Sequence, residues 1–123
     1  ERVEQDSKLG KRLLLFPLPF QGHITAMLHL AILLYAKGFS ITIIQTHYKS
    51  LNPTIFPHLT FYSINDGLSM FDEAADSQSP FVLVSALNTN CLEPFRECLS
   101  WIMNGGDAND QEPVACLIAD PIW

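Results

Sequence analysis

Short apolar runs alternate with one long apolar segment in the first half of the chain. Residues 13–16 form a continuous apolar run that Pro17 stops, which is typical of a parallel strand covered on both faces. Residues 23–37 predict a long apolar helix, and Gly38 is placed to end it. Residues 40–46 alternate and are rich in β-branched side chains, so we expect a second strand there. Strand, helix and strand in close order predict a right-handed βαβ unit.

The second half continues the alternation of strands and helices. Residues 59–64 predict a third strand, and residues 81–103 predict a second helix that Pro94 bends or interrupts. Residues 114–119 predict a fourth buried strand. The polar segments without a hydrophobic period are a loose arm at 1–10, a long surface loop at 68–79 and a solvated linker at 105–112.

The length of the chain sets a limit on its organisation. With 123 residues it can bury one core, so it is one domain or part of one. A β/α repeat continues from each strand into a covering helix, and Asp120 follows the fourth strand with only three residues after it. We therefore expect residues 1–10 to be a flexible N-terminal arm and residues 11–123 to be an incomplete α/β domain with a partial Rossmann-like parallel sheet.

Charge, cysteine count and hydropathy narrow the class of protein. A formal net charge of -6 argues against nucleic acid or an anionic membrane as partner, because both require clustered Lys and Arg. Cys91, Cys98 and Cys116 are an odd number without a CxxC pair, which indicates reduced core thiols in a cytoplasmic protein. Residues 24–36 are apolar almost all round but too short to span a bilayer, so we interpret them as a buried helix.

His23 and Asp120 are the residues most suited to chemistry. Ligands of open α/β sheets bind beyond the carboxyl ends of the strands, and strand four should lie beside strand one there. A histidine in the first turn of a helix lies at the positive end of the macrodipole, which favours the neutral ring, and a carboxylate on its other nitrogen would fix the tautomer. Such a pair could deprotonate a hydroxyl. The alternative is that His23 only caps the helix and Asp120 only precedes a turn.

The remaining polar candidates are weaker. His29 lies about 240° round the helix from His23, so the two cannot share a metal ion, and we expect it in the core or between helices. No nucleotide-binding glycine motif follows the first strand. His47 and His58 are loop histidines that need no special role. Asp72, Glu73 and Asp76 form an acidic cluster that is typical of a solvated loop.

The sequence resembles a known family over nearly its whole length after residue 10. The matching segments are Pro-Leu-Pro-Phe-Gln-Gly-His-Ile at 17–24, Gly-Phe-Ser-Ile-Thr at 38–42, Phe-Pro-His-Leu-Thr-Phe at 56–61, Asp-Gly-Leu-Ser at 66–69 and Cys-Leu-Ile-Ala-Asp at 116–120. Together they resemble the N-terminal domain of plant family 1 UDP-sugar glycosyltransferases. The resemblance implies the two-domain GT-B architecture, with the acceptor held mainly by this domain and the UDP-sugar mainly by a C-terminal domain that the chain lacks.

The resemblance also implies roles. His23 matches the general base and Asp120 the acid that pairs with it, in an inverting transfer of a sugar, most simply glucose, from UDP-sugar to a small plant alcohol or phenol. Neither a metal nor a further cofactor is implied. The fragment alone is then expected to be inactive. The rival interpretation is a non-catalytic truncated homologue that binds a small molecule or regulates a full-length relative.

Acceptor contacts are expected near the base and at the start of the second helix. The residues expected to contact the acceptor are Phe20, Gly22, His23, Phe81, Val82, Val84 and Ile122. The chain departs from the family pattern at two places. Thr25 and Ala26 stand where Asn-Pro is usual, and Lys49 stands where Asn is common. Thr25 lies close to His23 in the sequence, so the first departure bears on specificity more than on activity.

Overall fold

A computed structural model of the chain describes residues 11–67, 80–106, 113–120 and 123. The interpretations of residues 1–10, 68–79 and 107–112 and of Ile122 lie outside the described residues. The elements in chain order are β1 (Arg12–Phe16), α1 (Gln21–Ala36), β2 (Ser40–Thr46), a 3₁₀ turn (Pro53–Ile55), β3 (Thr60–Ile64), α2 (Pro80–Met103) and β4 (Val114–Ala119). All four strands and both helices expected from the hydrophobic pattern are present.

The four strands form one parallel sheet in the order β3-β2-β1-β4. The pairing of β1 with β2 closes the βαβ unit through α1, and β4 lies on the free side of β1. This order confirms the predicted α/β class with a partial Rossmann-like sheet. It also brings the residues that follow β1 and β4 to one edge.

The core has two layers because successive side chains of a strand point to opposite faces. Leu14 and Phe16 pack on one face with Leu87 of α2. Leu13 and Leu15 pack on the other face in a cluster that includes Ala31 of α1. The sheet is therefore covered by α2 on one face and by α1 on the other.

The expectation that the first helix is buried was wrong. Only Ala31 of α1 is fully buried, Leu33 is 63% exposed, and Tyr35 and His29 are also exposed. A helix lying on a sheet buries one face, so its apolar residues on the other face remain at the surface of the described chain. His29 accordingly is not a core residue.

The two ends of α1 follow from local backbone geometry. Gly38 has a φ of 101° and its N–H donates to the carbonyl of Tyr35, while the N–H of Phe39 donates to the carbonyl of Leu34. These two bonds are a Schellman ending, which favours glycine at the left-handed position. The helix begins at Gln21, two residues earlier than expected. Gly22 therefore lies inside the first helical turn and not in the preceding loop.

Pro94 does not interrupt α2, which runs from Pro80 to Met103. The ring removes one amide donor and crowds the carbonyl four residues earlier, but the helix continues through it on tertiary contacts. Among the described residues, no helix combines the length and the apolar character needed to cross a membrane.

The cysteines differ from one another in exposure. All three are free, as expected, with Cys91 buried and Cys98 half-buried. Cys116, in contrast, is exposed, so the prediction of three core thiols was wrong for this residue. It lies on β4, an edge strand of the described sheet in which no residue is buried, so the expectation of a fourth buried strand was wrong in its burial.

Cys91 should make stability fall at alkaline pH. Burial, with a smaller contribution from the negative charge of Asp66, raises the pKa of the Cys91 thiol from 9.0 to about 12. The unfolded chain therefore releases this proton first, so the stabilisation is complete below pH 9 and is lost as pH rises towards 12. We expect the free energy of unfolding, measured in urea from pH 8 to 11, to fall less steeply in Cys91→Ala than in the wild type. Parallel slopes for the two proteins would contradict this.

Candidate active site

The site is built where β1 and β4 end. Phe16 and Ala119 are register partners, and the N–H of Asp120 donates to the carbonyl of Phe16 over 3.3 Å. The backbone of Asp120 is thus held by a hydrogen bond that continues the pairing of β1 with β4, independently of the contacts of its side chain.

The loop after β1, residues 17–19, is hydrogen-bonded to the carboxylate of Asp120. Pro17 and Pro19 have no N–H, so the amide of Leu18 is the one backbone donor between Phe16 and Phe20. That amide donates to Oδ2 of Asp120 over 3.0 Å. All three loop residues are buried, and an amide buried there would be costly without this acceptor.

The second carboxylate oxygen meets the histidine. Nδ1 of His23 lies 2.8 Å from Oδ1 of Asp120, although the two residues are 97 positions apart. The side chain of Asp120 is 9% exposed and that of His23 is 37% exposed. A carboxylate can only accept, so Nδ1 carries the proton and donates it. The lone pair of the neutral ring is therefore on Nε2, the nitrogen that the carboxylate does not contact.

This arrangement suits proton abstraction. A neutral imidazole whose Nε2 is unprotonated can take a proton from a hydroxyl, and the carboxylate on Nδ1 stabilises the imidazolium that results. Phe20, which immediately precedes α1, packs against His23 in an edge-on arrangement with ring centroids 6.2 Å apart. The predicted meeting of His23 and Asp120 is therefore found in the structure, and the catalytic role assigned to it stays a prediction.

An apolar cavity of about 240 Å³ borders the same edge. Phe16 lines it and stacks on both Phe95 and Trp123, with ring centroids 4.4 Å apart in each pair. Trp123 also has an indole N–H with no hydrogen-bond partner among the described residues. Ala119, the residue before Asp120, completes the wall on the strand side. The cavity is thus a mainly apolar space bounded by Ala119, which precedes Asp120, while neither His23 nor Asp120 is among the described residues that line it.

The residues expected to contact an acceptor are not all beside this cavity. Phe81 is 89% exposed and Val82 is 54% exposed in the first turn of α2, and Val84 is half-buried. The cavity is lined by later turns of the helix, at Asn88, Cys91, Leu92 and Phe95. Gly22 is exposed, and a Cβ added there would meet no atom within 4 Å. The acceptor contacts of these residues stay predictions.

Sequence reasoning missed two features of the site. One is the amide of Leu18, for which the signal was present, because a single donor between two prolines must find an acceptor. The other is the cavity wall on α2, where Asn88, Cys91, Leu92 and Phe95 recur at intervals of three and four, as residues of one helical face do. The remaining histidines take no part in the pair. His58 packs against the ring of Tyr35, and His47 is exposed.

Fold and site together define the class of protein. It is an α/β protein with a Rossmann-like sheet whose carboxyl edge carries a histidine oriented by a carboxylate.

Comparison with known proteins gives the family. The chain is 39% identical over 115 residues to UDP-glycosyltransferase 76C1 of Arabidopsis thaliana, and the match covers 92% of this chain and 24% of that protein. It is 37% identical over 115 residues to 7-deoxyloganetin glucosyltransferase of Gardenia jasminoides, covering 86% of this chain and 24% of that protein. The chain therefore belongs to the plant UDP-glycosyltransferases. It spans about a quarter of the length of the curated relatives it matches.

No protein-family model matches the chain. A solved structure of LpCGTa in complex with UDP is similar with a TM-score of 0.46 and 20% identity, over 90% of this chain and 25% of that one.

Proposed function

We propose that the complete protein containing this chain transfers a sugar from a UDP-sugar to the hydroxyl of a small alcohol or phenol, with inversion at the anomeric carbon. The observation that carries the proposal is the 2.8 Å contact between His23 and Asp120 at the carboxyl edge of the sheet. Membership of a family whose matched relatives are UDP-glycosyltransferases supports the donor class. The relative from Gardenia jasminoides is a glucosyltransferase by name, which favours glucose.

The chemistry follows from the free nitrogen of His23. Nε2 takes the proton of the acceptor hydroxyl as the oxygen forms its bond to the anomeric carbon. The bond between that carbon and the diphosphate oxygen breaks on the opposite side, and UDP leaves with the electron pair. Asp120 keeps its contact with Nδ1 throughout and stabilises the positive charge that the ring acquires. This sequence of bond changes requires no metal ion and no further cofactor.

The neighbourhood of the pair supports a small, mainly apolar acceptor. The cavity of about 240 Å³ is somewhat smaller than the roughly 300–1,000 Å³ usual for small-molecule sites, and it is lined chiefly by apolar side chains. Gly22 leaves open space beside His23, where a larger residue would narrow the approach to the base. We assign acceptor contact to Phe20 and Gly22, and to the start of α2 once an acceptor is bound. The free thiols favour a reducing, cytoplasmic location.

The proposal predicts the configuration of the product. Complete protein supplied with UDP-glucose, whose glucose is α-linked, should convert simple phenols and terpenoid alcohols into β-glucosides. Mass spectrometry identifies the product, and the anomeric proton in its NMR spectrum reports the configuration. An α-glucoside would refute inversion. Acceptor binding without any transfer would instead support the non-catalytic interpretation.

A further inference from the structure

The indole N–H of Trp123 is a buried hydrogen-bond donor for which the described residues supply no acceptor. The nitrogen is shielded from solvent, although the residue as a whole is half-buried. Buried donors in proteins nearly always have a partner, because removing an N–H from water without one costs free energy. A bound molecule that places an oxygen atom at this nitrogen would remove that cost.

The ring that carries this donor is held in place by its neighbours. Trp123 stacks on Phe16 with ring centroids 4.4 Å apart and an angle of 2° between the ring planes, and Phe16 stacks in turn on Phe95 of α2. The backbone N–H of Trp123 donates to the carbonyl of Asp120 over 3.2 Å. The donor is thus fixed before a ligand arrives, which reduces the ordering cost of binding.

Trp123 lines the apolar cavity of about 240 Å³ at the carboxyl edge of the sheet. Two other described residues of its wall, Asn88 and Cys91, have side chains able to form hydrogen bonds. The side-chain amide of Asn88 donates to the carbonyl of Val84 one turn earlier in α2, and the thiol of Cys91 is a weak donor. The indole N–H is therefore a donor without a protein partner on a described wall that is otherwise mainly apolar.

The cavity and the proton-abstracting pair are joined at the end of β4. Ala119 lines the cavity, and the next residue, Asp120, contacts Nδ1 of His23 over 2.8 Å. The carbonyl of Asp120 accepts the backbone N–H of Trp123. An acceptor whose hydroxyl lies at Nε2 of His23 therefore reaches the cavity, and the indole on its wall, by passing the end of this strand.

We propose that the indole N–H of Trp123 donates a hydrogen bond to the sugar acceptor and selects alcohols and phenols that also carry a carbonyl group. This inference rests on the proposed function, because the reacting hydroxyl must lie at Nε2 of His23. An indole N–H only donates, so its partner must be an accepting oxygen. A carbonyl fits better than a second hydroxyl, whose own proton would be left without a partner in a mainly apolar cavity.

The test compares phenols of matched size with and without a carbonyl. Meta- and para-hydroxyacetophenone are paired with meta- and para-isopropylphenol, in which a methyl group replaces the carbonyl oxygen. Calorimetry on the complete protein gives the ratio of the two affinities in each pair. Trp123→Phe removes the N–H and keeps a ring able to stack on Phe16. In at least one pair it should lower the ketone-to-alkyl ratio about three- to tenfold, the range of a neutral hydrogen bond.

Trp101→Phe is the matched control, because it removes an indole that packs edge-on against Tyr62 and is not among the described residues that line the cavity. Its affinity ratios should equal those of the wild type. Unchanged ratios in Trp123→Phe, or no binding of any of the four phenols by the wild type, overturn the proposal. So does an equal loss of affinity for both members of each pair, since Trp123 would then act by packing alone.

The same four phenols separate this proposal from the proposed function. Each is incubated with the complete protein and UDP-glucose, and glucoside formation is followed by mass spectrometry. Selective binding through Trp123 without sugar transfer would retain the hydrogen bond and refute the proposed function. Sugar transfer with affinity ratios that Trp123→Phe leaves unchanged would retain the function and refute the hydrogen bond.

Discussion

Replacing His23 by alanine should lower kcat for sugar transfer by about 10²- to 10⁴-fold, the contribution typical of a general base. The reason is geometric: Asp120 holds Nδ1, so Nε2 is the nitrogen left to accept a proton, and no other described histidine contacts the pair. Alanine removes the base and leaves the helix intact. The measurement is the initial rate of glucoside formation by the complete protein under saturating UDP-glucose.

His29→Ala is the matched control for this experiment. His29 is exposed in the same helix and takes no part in the pair, so its variant should keep the wild-type rate. Circular dichroism should be the same for His23→Ala and the wild type, and the melting temperature should fall only slightly, because His23 is over a third exposed and Asp120 keeps its bond from the Leu18 amide. A His23→Ala protein that is folded and turns over at the wild-type rate would refute the assignment of the base.

Asp120→Asn should cause a loss of similar size by a different route. The two carboxylate oxygens now accept two protons, one from the amide of Leu18 and one from Nδ1 of His23. A carboxamide has one oxygen and one N–H₂ group. If its oxygen faces Leu18, its N–H₂ faces Nδ1, which forces the ring proton onto Nε2 and removes the base.

The opposite orientation of the amide has its own cost. Its N–H₂ group would then face the amide of Leu18, leaving a buried donor without an acceptor at a cost of about 1–3 kcal/mol. We therefore expect kcat to fall about 10²- to 10⁴-fold, with a modest loss of stability. The double variant with His23→Ala should be no slower than His23→Ala alone, since the two residues act as one unit.

The control for charge removal is Glu93→Gln, because Glu93 is an exposed carboxylate of α2 that pairs only with neighbouring Arg96 among the described contacts. Its kcat should equal that of the wild type. If the effects of Asp120→Asn and His23→Ala multiplied, Asp120 would act independently of the histidine. That result would contradict the mechanism even if both single variants were slow.

Much of the fold could be predicted because its signals are local. Residues 114–119 are the observed β4 without any shift, and Gly38 ends α1 as its position indicated. The apolar runs of β1 and β2 imply burial on both faces, which a parallel sheet provides. The pairing of His23 with Asp120 could also be foreseen, because the order of strands in an α/β sheet places their loops side by side.

The predictions that were wrong concern the burial of side chains. Burial depends on which other elements pack against a residue, and no local sequence pattern identifies those elements. An apolar helix can be covered on one side or on all sides, and α1 proved to be covered on one, leaving Leu33 and His29 exposed. Cys116 has the neighbours of a core strand in sequence, but β4 lies at the edge of the described sheet. Exposure of such residues is decided by what packs against them.

By itself, the sequence determined the strands and helices, the order of strands in the sheet that follows from a βαβ unit, and the residue types able to transfer a proton. Only the tertiary structure decided which nitrogen of His23 is available and which acceptor the amide of Leu18 finds. The physical reason is the range of the interactions. Hydrophobic periodicity and backbone preferences act over a few residues, whereas a hydrogen bond across 97 positions exists only once the strands have paired.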